Sequence, residues 1–215
     1  MVLRKADVVE GAWAFLDAEG LEELTMRKLG AALEVRGSAL YRHFPTKEAL
    51  LDAMADQLIQ DVAQPLPDLS WTGQLVTLAD RLRTALLSHR DGARVASGVF
   101  ANGRNTIAGT DLGVSVLCSA GLPATQAGWL AFALFYYVLG HAIEEQAQAR
   151  LPTADGWAER AARFADTKTS PGYEEAFASV TGSDPAQRFA YGLHTFIDGI
   201  AQQVSRYRGS SQGEQ

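Results

Sequence analysis

The stretch TMRKLGAALEVRGSALYRHFPTK, residues 25–47, decides how this chain is read. Leu29, Ala32 and Leu33 fall at i, i+3 and i+4 behind Thr25, whose hydroxyl can accept from the free amides of a first helical turn. That spacing predicts a helix from Met26 with one apolar stripe. Leu40 and Phe44, four apart, mark a second helix over residues 37–43, and Glu34-Val35-Arg36 leaves room only for a turn between the two. Pro45 disfavours helix at Phe44, and Thr46 is placed to cap a third helix beginning at Lys47. Two helices joined so tightly make a helix-turn-helix unit.

The faces left over suit contact with a nucleic-acid duplex. Arg27, Arg36 and Arg42 can reach phosphates or guanine edges, and Gly37, Ser38 and Ala39 are small enough to let backbone approach a groove. Tyr41, His43 and Lys47 can hold phosphate oxygens, Lys47 from the positive end of its helix. Residues 25–47 carry five Lys or Arg against one acid, a local +4 in a chain of net charge −6. An acidic protein does not coat nucleic acid by charge alone, so binding has to be local and geometric. The alternative is a solvated helical hairpin in an ordinary helical domain, since runs of charge are weak evidence by themselves.

Working outward, residues 4–19 place Val8, Ala12, Phe15 and Leu16 on one face before Gly20, which predicts a helix bracing the unit. A fourth helix is expected from Lys47 to about Gln64, with Leu50, Leu51, Met54, Leu58, Ile59 and Val62. Further helices are expected over residues 71–89, 106–120, 123–150 and 185–206. Residues 151–172, with Pro152, Gly156, Pro171 and Gly172, are the least regular. No β alternation of useful length occurs, so the fold class is all-α. The expected division is a helix-turn-helix domain at 1–47, a connecting helix at 48–66, a larger helical domain at 67–208 and a disordered tail at 209–215.

A length of 215 residues with 47% hydrophobic and 20% charged suits one or two globular domains. The single cysteine, Cys118, excludes an intrachain disulfide and a cysteine metal cluster. The start of the chain lacks the apolar segment of a signal peptide. The longest apolar run, residues 129–140, is twelve residues against the ~20 that cross a bilayer, and reads as a helix buried on all sides. A cytoplasmic protein without membrane contact is expected.

LTMRKL at 24–29, SALYRHF at 38–44 and KEALLDAM at 47–54 closely resemble the N-terminal domain of the TetR family of bacterial transcriptional regulators. The resemblance covers residues 3–54. RTALLSHRDGARV at 83–95, LGHAIEEQ at 139–146 and residues 184–203 are similar, less closely, to the tetracycline-repressor subgroup of that family. It implies a transcriptional repressor acting as a homodimer on a palindromic double-stranded DNA operator and released by a small-molecule effector. Where the subgroup offers a metal-binding histidine to a drug–magnesium chelate, this chain has Ala96. Other ligand-contacting positions fall on Ala63, Leu78, Leu82, Val99 and Gly113, and Glu144 alone matches. These departures remove the metal ligand and the main hydrogen-bonding groups, so the resemblance implies a flatter, larger, largely apolar and metal-free effector. Phe100, Phe132, Phe135, Leu117 and Trp129 are the candidate apolar contacts, with plain core packing the alternative for each.

The helices over 123–149 and 185–206 carry more apolar surface than one chain of this size covers. Either both are central core helices, or they form a four-helix bundle with a second copy. Reading two half-sites with two-fold symmetry, about 34 Å apart, favours the dimer. His141, Glu144 and Glu145, at i, i+3 and i+4, could hold a metal, but they lack a matching set on a second helix, and no metal or cofactor is expected. No GxSxG, phosphate-cradling glycine loop or paired-carboxylate motif occurs, so an enzyme is not expected. An all-α enzyme or carrier with a buried apolar pocket is the rival class, and it leaves the cationic surface unexplained.

Overall fold

The computed structural model describes residues 3–97, 103–150, 162 and 170–212. Among these residues it is all helical, with ten α-helices, one 3-10 turn and no strand. Helix α1 (Lys5–Glu19) is closed at its start by Asp7, which accepts the Arg4 backbone amide at 2.9 Å, and at its end by Gly20 at φ 90°. A 3-10 turn (Leu21–Glu23) leads to α2 (Met26–Ala32), capped as expected by Thr25 Oγ1, which accepts from the Lys28 amide at 3.2 Å. Helix α3 (Gly37–Tyr41) follows, then α4 (Lys47–Leu58), capped by Thr46.

The turn between α2 and α3 has a specific closure. Glu34 sits at φ 54°, its amide donating to Ala31 O at 3.1 Å while the Val35 amide donates to Gly30 O at 2.9 Å. That pair of bonds is the Schellman arrangement, with glutamate where glycine is the usual left-handed residue. Gly30 is buried beside the turn, where a Cβ would stand in ordinary contact with Val35 O at 3.4 Å and Leu40 Cδ1 at 3.5 Å.

The head has its own apolar core of Val8, Ala12, Trp13, Leu16, Leu24, Leu29, Leu40, Phe44, Leu50 and Met54. Fully burying side chains such as Leu29 and Leu40 is worth about 1.5–3 kcal/mol each. This core runs past the expected boundary at residue 47, through Ala55, and takes Val95 from the body. Helix α4 ends at Leu58, not near Gln64, and 59–63 continue as turns closed by three-residue bonds such as Val62 N–H to Ile59 O at 3.0 Å. The guanidinium of Arg81 binds carbonyls of the connection that follows, at 2.6 Å from Gln64 O and 3.1 Å from Pro65 O.

The body is built from α5 (Trp71–Leu87), α6 (Gly92–Ser97), α7 (Arg104–Ser119), α8 (Ala124–Ala149), α9 (Tyr173–Gly182) and α10 (Pro185–Gln212). Helix α8 packs against α5, α6, α7 and α10 around Leu75, Leu86, Leu117, Val138, Leu193 and Ile200. The expectation that α8 is buried on all sides is wrong. It is 26 residues long, sufficient by length and composition to cross a membrane, and Trp129, Phe132 and Tyr136 lie on an exposed side. Helix α9 was not expected. It follows Gly172 at φ 85° and begins with Glu174 and Glu175, charges that favour a helix start.

The end of α10 also departs from expectation. The helix passes Arg206 and runs through Gln212, so four of the seven residues expected as a disordered tail are helical. Arg208 anchors it by donating from Nε to Ala120 O at 3.0 Å, and a docked helix extends at low cost. Val99, Phe100, most of 151–172 and residues 213–215 lie outside the described residues.

Candidate nucleic-acid interface and internal cavities

Leu40 is fully buried, and this orients the short helix α3. With Leu40 pinned inward, Gly37, Ser38 and Tyr41 turn outward together, and Arg36 and Arg42 flank them, also exposed. Arg27 is exposed on α2, while Ala39, His43 and Lys47 are half-buried at the edges of the same surface. Among the described residues no carboxylate pairs with Arg27, Arg36, Arg42 or Lys47 at salt-bridge distance. Lys28 is different, since its ammonium is bound by Glu23. The result is an exposed helix of small residues rimmed by uncompensated cations, a shape that enters a major groove about 12 Å wide.

Two polar contacts fix the head to the body. In one, His89 Nδ1 lies 2.7 Å from Asp17 Oδ2, and Asp17 Oδ1 accepts the Arg90 amide at 2.9 Å. Beside them the buried Asp91 accepts from the Leu21 amide at 3.1 Å and from Arg94 at 3.0 Å, and it also meets Arg150. Burial works against the charge on Asp91, but the Leu21 amide and the two guanidinium groups outweigh it and hold the carboxyl below its ordinary range. The other contact is Asp56 of α4 against the first turn of α7, where it accepts the Asn105 amide at 2.9 Å. Periodicity gave no signal for either, because each joins residues far apart in the chain.

Two small apolar cavities lie against the end of α4. One, of about 70 Å³, is lined by Leu78, Leu82, Gly113 and Phe135 together with Ile59 and Val62. The other, of about 150 Å³, is lined by Ala96, Phe132 and Phe135 with Ala55, Ile59 and Tyr136. Phe135, Ile59, Thr106 and Thr110 border both. Six expected contact positions are thus brought together. The wall residues Ala55, Ile59, Thr106, Thr110 and Tyr136 were missed, because a lining residue and a core residue look alike in a periodic pattern.

Three expected contacts stand elsewhere. Leu117 is fully buried in the body core and borders neither cavity, and Trp129 is 68% exposed. Glu144 lies in a separate cleft of about 510 Å³ with His141, Arg188 and Phe177, because it occupies the opposite side of α8 from Phe132 and Phe135. Nor does the sequence trio on α8 assemble. Glu145 accepts a two-pronged contact from Arg83, with Nη2 to Oε1 at 2.7 Å and Nε to Oε2 at 3.1 Å, and His141 Nδ1 stands 3.8 Å from Glu145. Burial keeps the His141 imidazole below its ordinary pKa, hence neutral. No cluster of three His, Cys, Asp or Glu is placed to hold a metal among the described residues. A larger volume of about 1110 Å³ is a solvent-open groove between α1, the end of α4 and α5, with mixed polar walls.

A helix-turn-helix head with an exposed cationic reading surface, carried on a helical body with internal apolar cavities, defines a DNA-binding regulator of transcription. The model of the bacterial regulatory proteins of the tetR family matches residues 8–54, and that of the tetracyclin repressor-like C-terminal domain matches residues 64–204. The chain therefore belongs to the TetR family. It is 32% identical to the tetracycline repressor protein class A from transposon 1721 of Escherichia coli, across 99% of this chain and 98% of that one. Mycobacterium smegmatis BioQ superposes with a TM-score of 0.74 at 31% identity, covering 93% of this chain and 98% of that one, and a BioQ bound to its natural double-stranded DNA operator superposes with a TM-score of 0.70 at 30% identity, covering 93% and 99%. Streptomyces coelicolor ActR in complex with actinorhodin superposes with a TM-score of 0.80 at 28% identity, covering 92% and 95%.

Proposed function

We propose that this TetR-family protein is a homodimeric repressor that leaves a two-fold-symmetric operator when a flat, mainly apolar, metal-free molecule enters the cavities beside α4. In this reading Arg27, Arg36, Gly37, Ser38, Ala39 and Arg42 meet bases or their surroundings, and Tyr41, His43 and Lys47 hold phosphates. Leu78, Leu82, Ala96, Gly113, Phe132 and Phe135 contact the effector. The protein acts in the cytoplasm, where the operator is.

The observation that carries the proposal is the double membership of α4. Its residues Leu50 and Met54 belong to the core of the head, while Ala55 and the residue that ends the helix, Ile59, wall the cavities. A ligand that pushes on Ile59 therefore moves the base of the head. It needs only to favour the misfit spacing of two heads, and a coupling of about 1–3 kcal/mol changes operator affinity ~5- to 150-fold. Both cavities carry the hydroxyl-bearing walls Thr106 and Thr110, the larger one adds Ser97 and Tyr136, and aromatic rings line them, which suits a planar ring system with a few oxygens. ActR is seen with a small molecule, actinorhodin, and the metal-binding histidine that the tetracycline-repressor resemblance implies stands here as Ala96.

Dimerisation is supported by the faces the body leaves open. Trp129, Phe132 and Tyr136 on α8 recur at i, i+3 and i+7, and Tyr191 on α10 is 80% exposed. Aromatic exposure on this scale marks a partner surface.

The test is selection of bound duplexes from a random library, repeated with planar apolar compounds and with EDTA. A two-fold-symmetric duplex released by such a compound, with or without EDTA, is the expected result. Turnover of a compound with no duplex enriched would establish an all-α enzyme instead, and loss of the response in EDTA would reject the metal-free effector.

A further inference from the structure

Helix α7 begins without a cap of its own. The residue before it, Gly103, has extended backbone and no side chain to offer the free amides of the first turn. Those amides are satisfied from another element. Asp56 Oδ1 accepts the Asn105 amide at 2.9 Å, the Thr106 amide at 3.1 Å and the Thr106 hydroxyl at 3.3 Å. The Asn105 side-chain Nδ2 donates to Asp56 Oδ2 at 3.1 Å and to its backbone oxygen at 3.0 Å. The fit leaves no slack, because a Cβ on Gly103 would stand 1.9 Å from Asp56 Oδ1.

Thr106 is also a wall of both apolar cavities, and Ala55, next to Asp56, is a wall of the larger. The bonded pair is thus part of the chamber lining. Apolar contacts between helices are non-directional and can slide. A carboxylate holding several oriented donors follows them as a unit. We propose that Asp56 is the positioning residue that converts cavity occupancy into movement of α4 and of the head, by holding α4 to the first turn of α7. This rests on the effector reading of the cavities. A molecule wider than the two small chambers displaces the α7 wall at Thr106, and Asp56 carries the displacement to α4.

A tethered occupant tests this without a known effector. Thr110→Phe places a ring in the space that Thr106 and Thr110 border. Operator affinity is measured with the library-selected duplex, for Thr110→Phe alone and combined with Asp56→Ala, Asp56→Asn or Gly103→Ala. In the presence of intact Asp56 the tethered ring should weaken operator binding about 5- to 150-fold. In the Asp56→Ala and Gly103→Ala backgrounds that penalty should shrink at least about fivefold, with Asp56→Asn, which keeps one carbonyl acceptor, in between. An equal penalty in all backgrounds overturns the role of Asp56 and leaves the cavity reading intact. No penalty with Asp56 present overturns the cavity reading and with it the relay. Circular dichroism checks folding of every variant, and Thr110→Leu replaces Thr110→Phe if the ring prevents folding.

Discussion

The indole of Trp13 and the imidazole of His89 are stacked, with centroids 4.3 Å apart and planes 19° from parallel. One ring belongs to the head and the other to the turn between α5 and α6, so this contact helps to seat the head on the body. His89→Ala removes both the stack and the contact to Asp17, and should loosen the head by about 1 kcal/mol. With Trp71, Trp129 and Trp157 changed to Phe, Trp13 emission should shift to the red and its melting midpoint should fall. Unchanged emission would show that His89 does not seat the head.

Asp91 should make the same junction sensitive to acid. Its carboxyl lies below the ordinary range in the folded protein and near 3.9 when unfolded. A depressed carboxyl contributes stability that is present above the unfolded value and is lost as pH falls through the folded one. The junction should therefore weaken below about pH 4. Asp91→Asn tolerates the left-handed backbone at φ 60° and so isolates the charge. It should cost about 2 kcal/mol at neutral pH and flatten this part of the acid profile, read by thermal melts across pH.

Glu34 predicts a gain. Its φ of 54° strains a glutamate, and nothing in the turn requires that side chain. Glu34→Gly should raise stability by about 0.5–1 kcal/mol, seen as a higher melting temperature, and should not weaken duplex binding. A loss would show that the side chain restrains the turn.

Lys47 and Arg42 should fail differently. Lys47→Ala should weaken binding to all duplexes and reduce the salt slope by about 0.9, since one phosphate contact is lost. Arg42→Ala should relax sequence preference at a cost of about 1–3 kcal/mol at one base pair. Uniform loss across sequences would make Arg42 a phosphate contact.

Tyr191→Glu, at a position 80% exposed, should convert the dimer to a monomer without unfolding it. Sedimentation velocity with circular dichroism checks both. A variant that remains dimeric would place the interface elsewhere.

The head was legible because its determinants are local. Thr25 and Thr46 cap the helices that follow them, and Leu29, Leu40 and Phe44 fix which sides are buried. The path of the chain after α4 was not, since the carbonyl of Gln64 there is bound by Arg81, seventeen residues further on. The two-sided character of α8 was hidden for a related reason. Trp129 and Leu134 read as equally apolar, and only the positions of α5, α7 and α10 determine which is covered. Asp56 carries no local signal, because its partners lie 49 and 50 residues away.

Val95 sits among the side chains of the head although it is carried by α6. Exchanging recognition modules between relatives by cutting at the end of the homologous segment would leave that socket filled by a foreign side chain. Hybrid regulators should work best when position 95 travels with the module it completes, so the transferable unit is discontinuous in the gene.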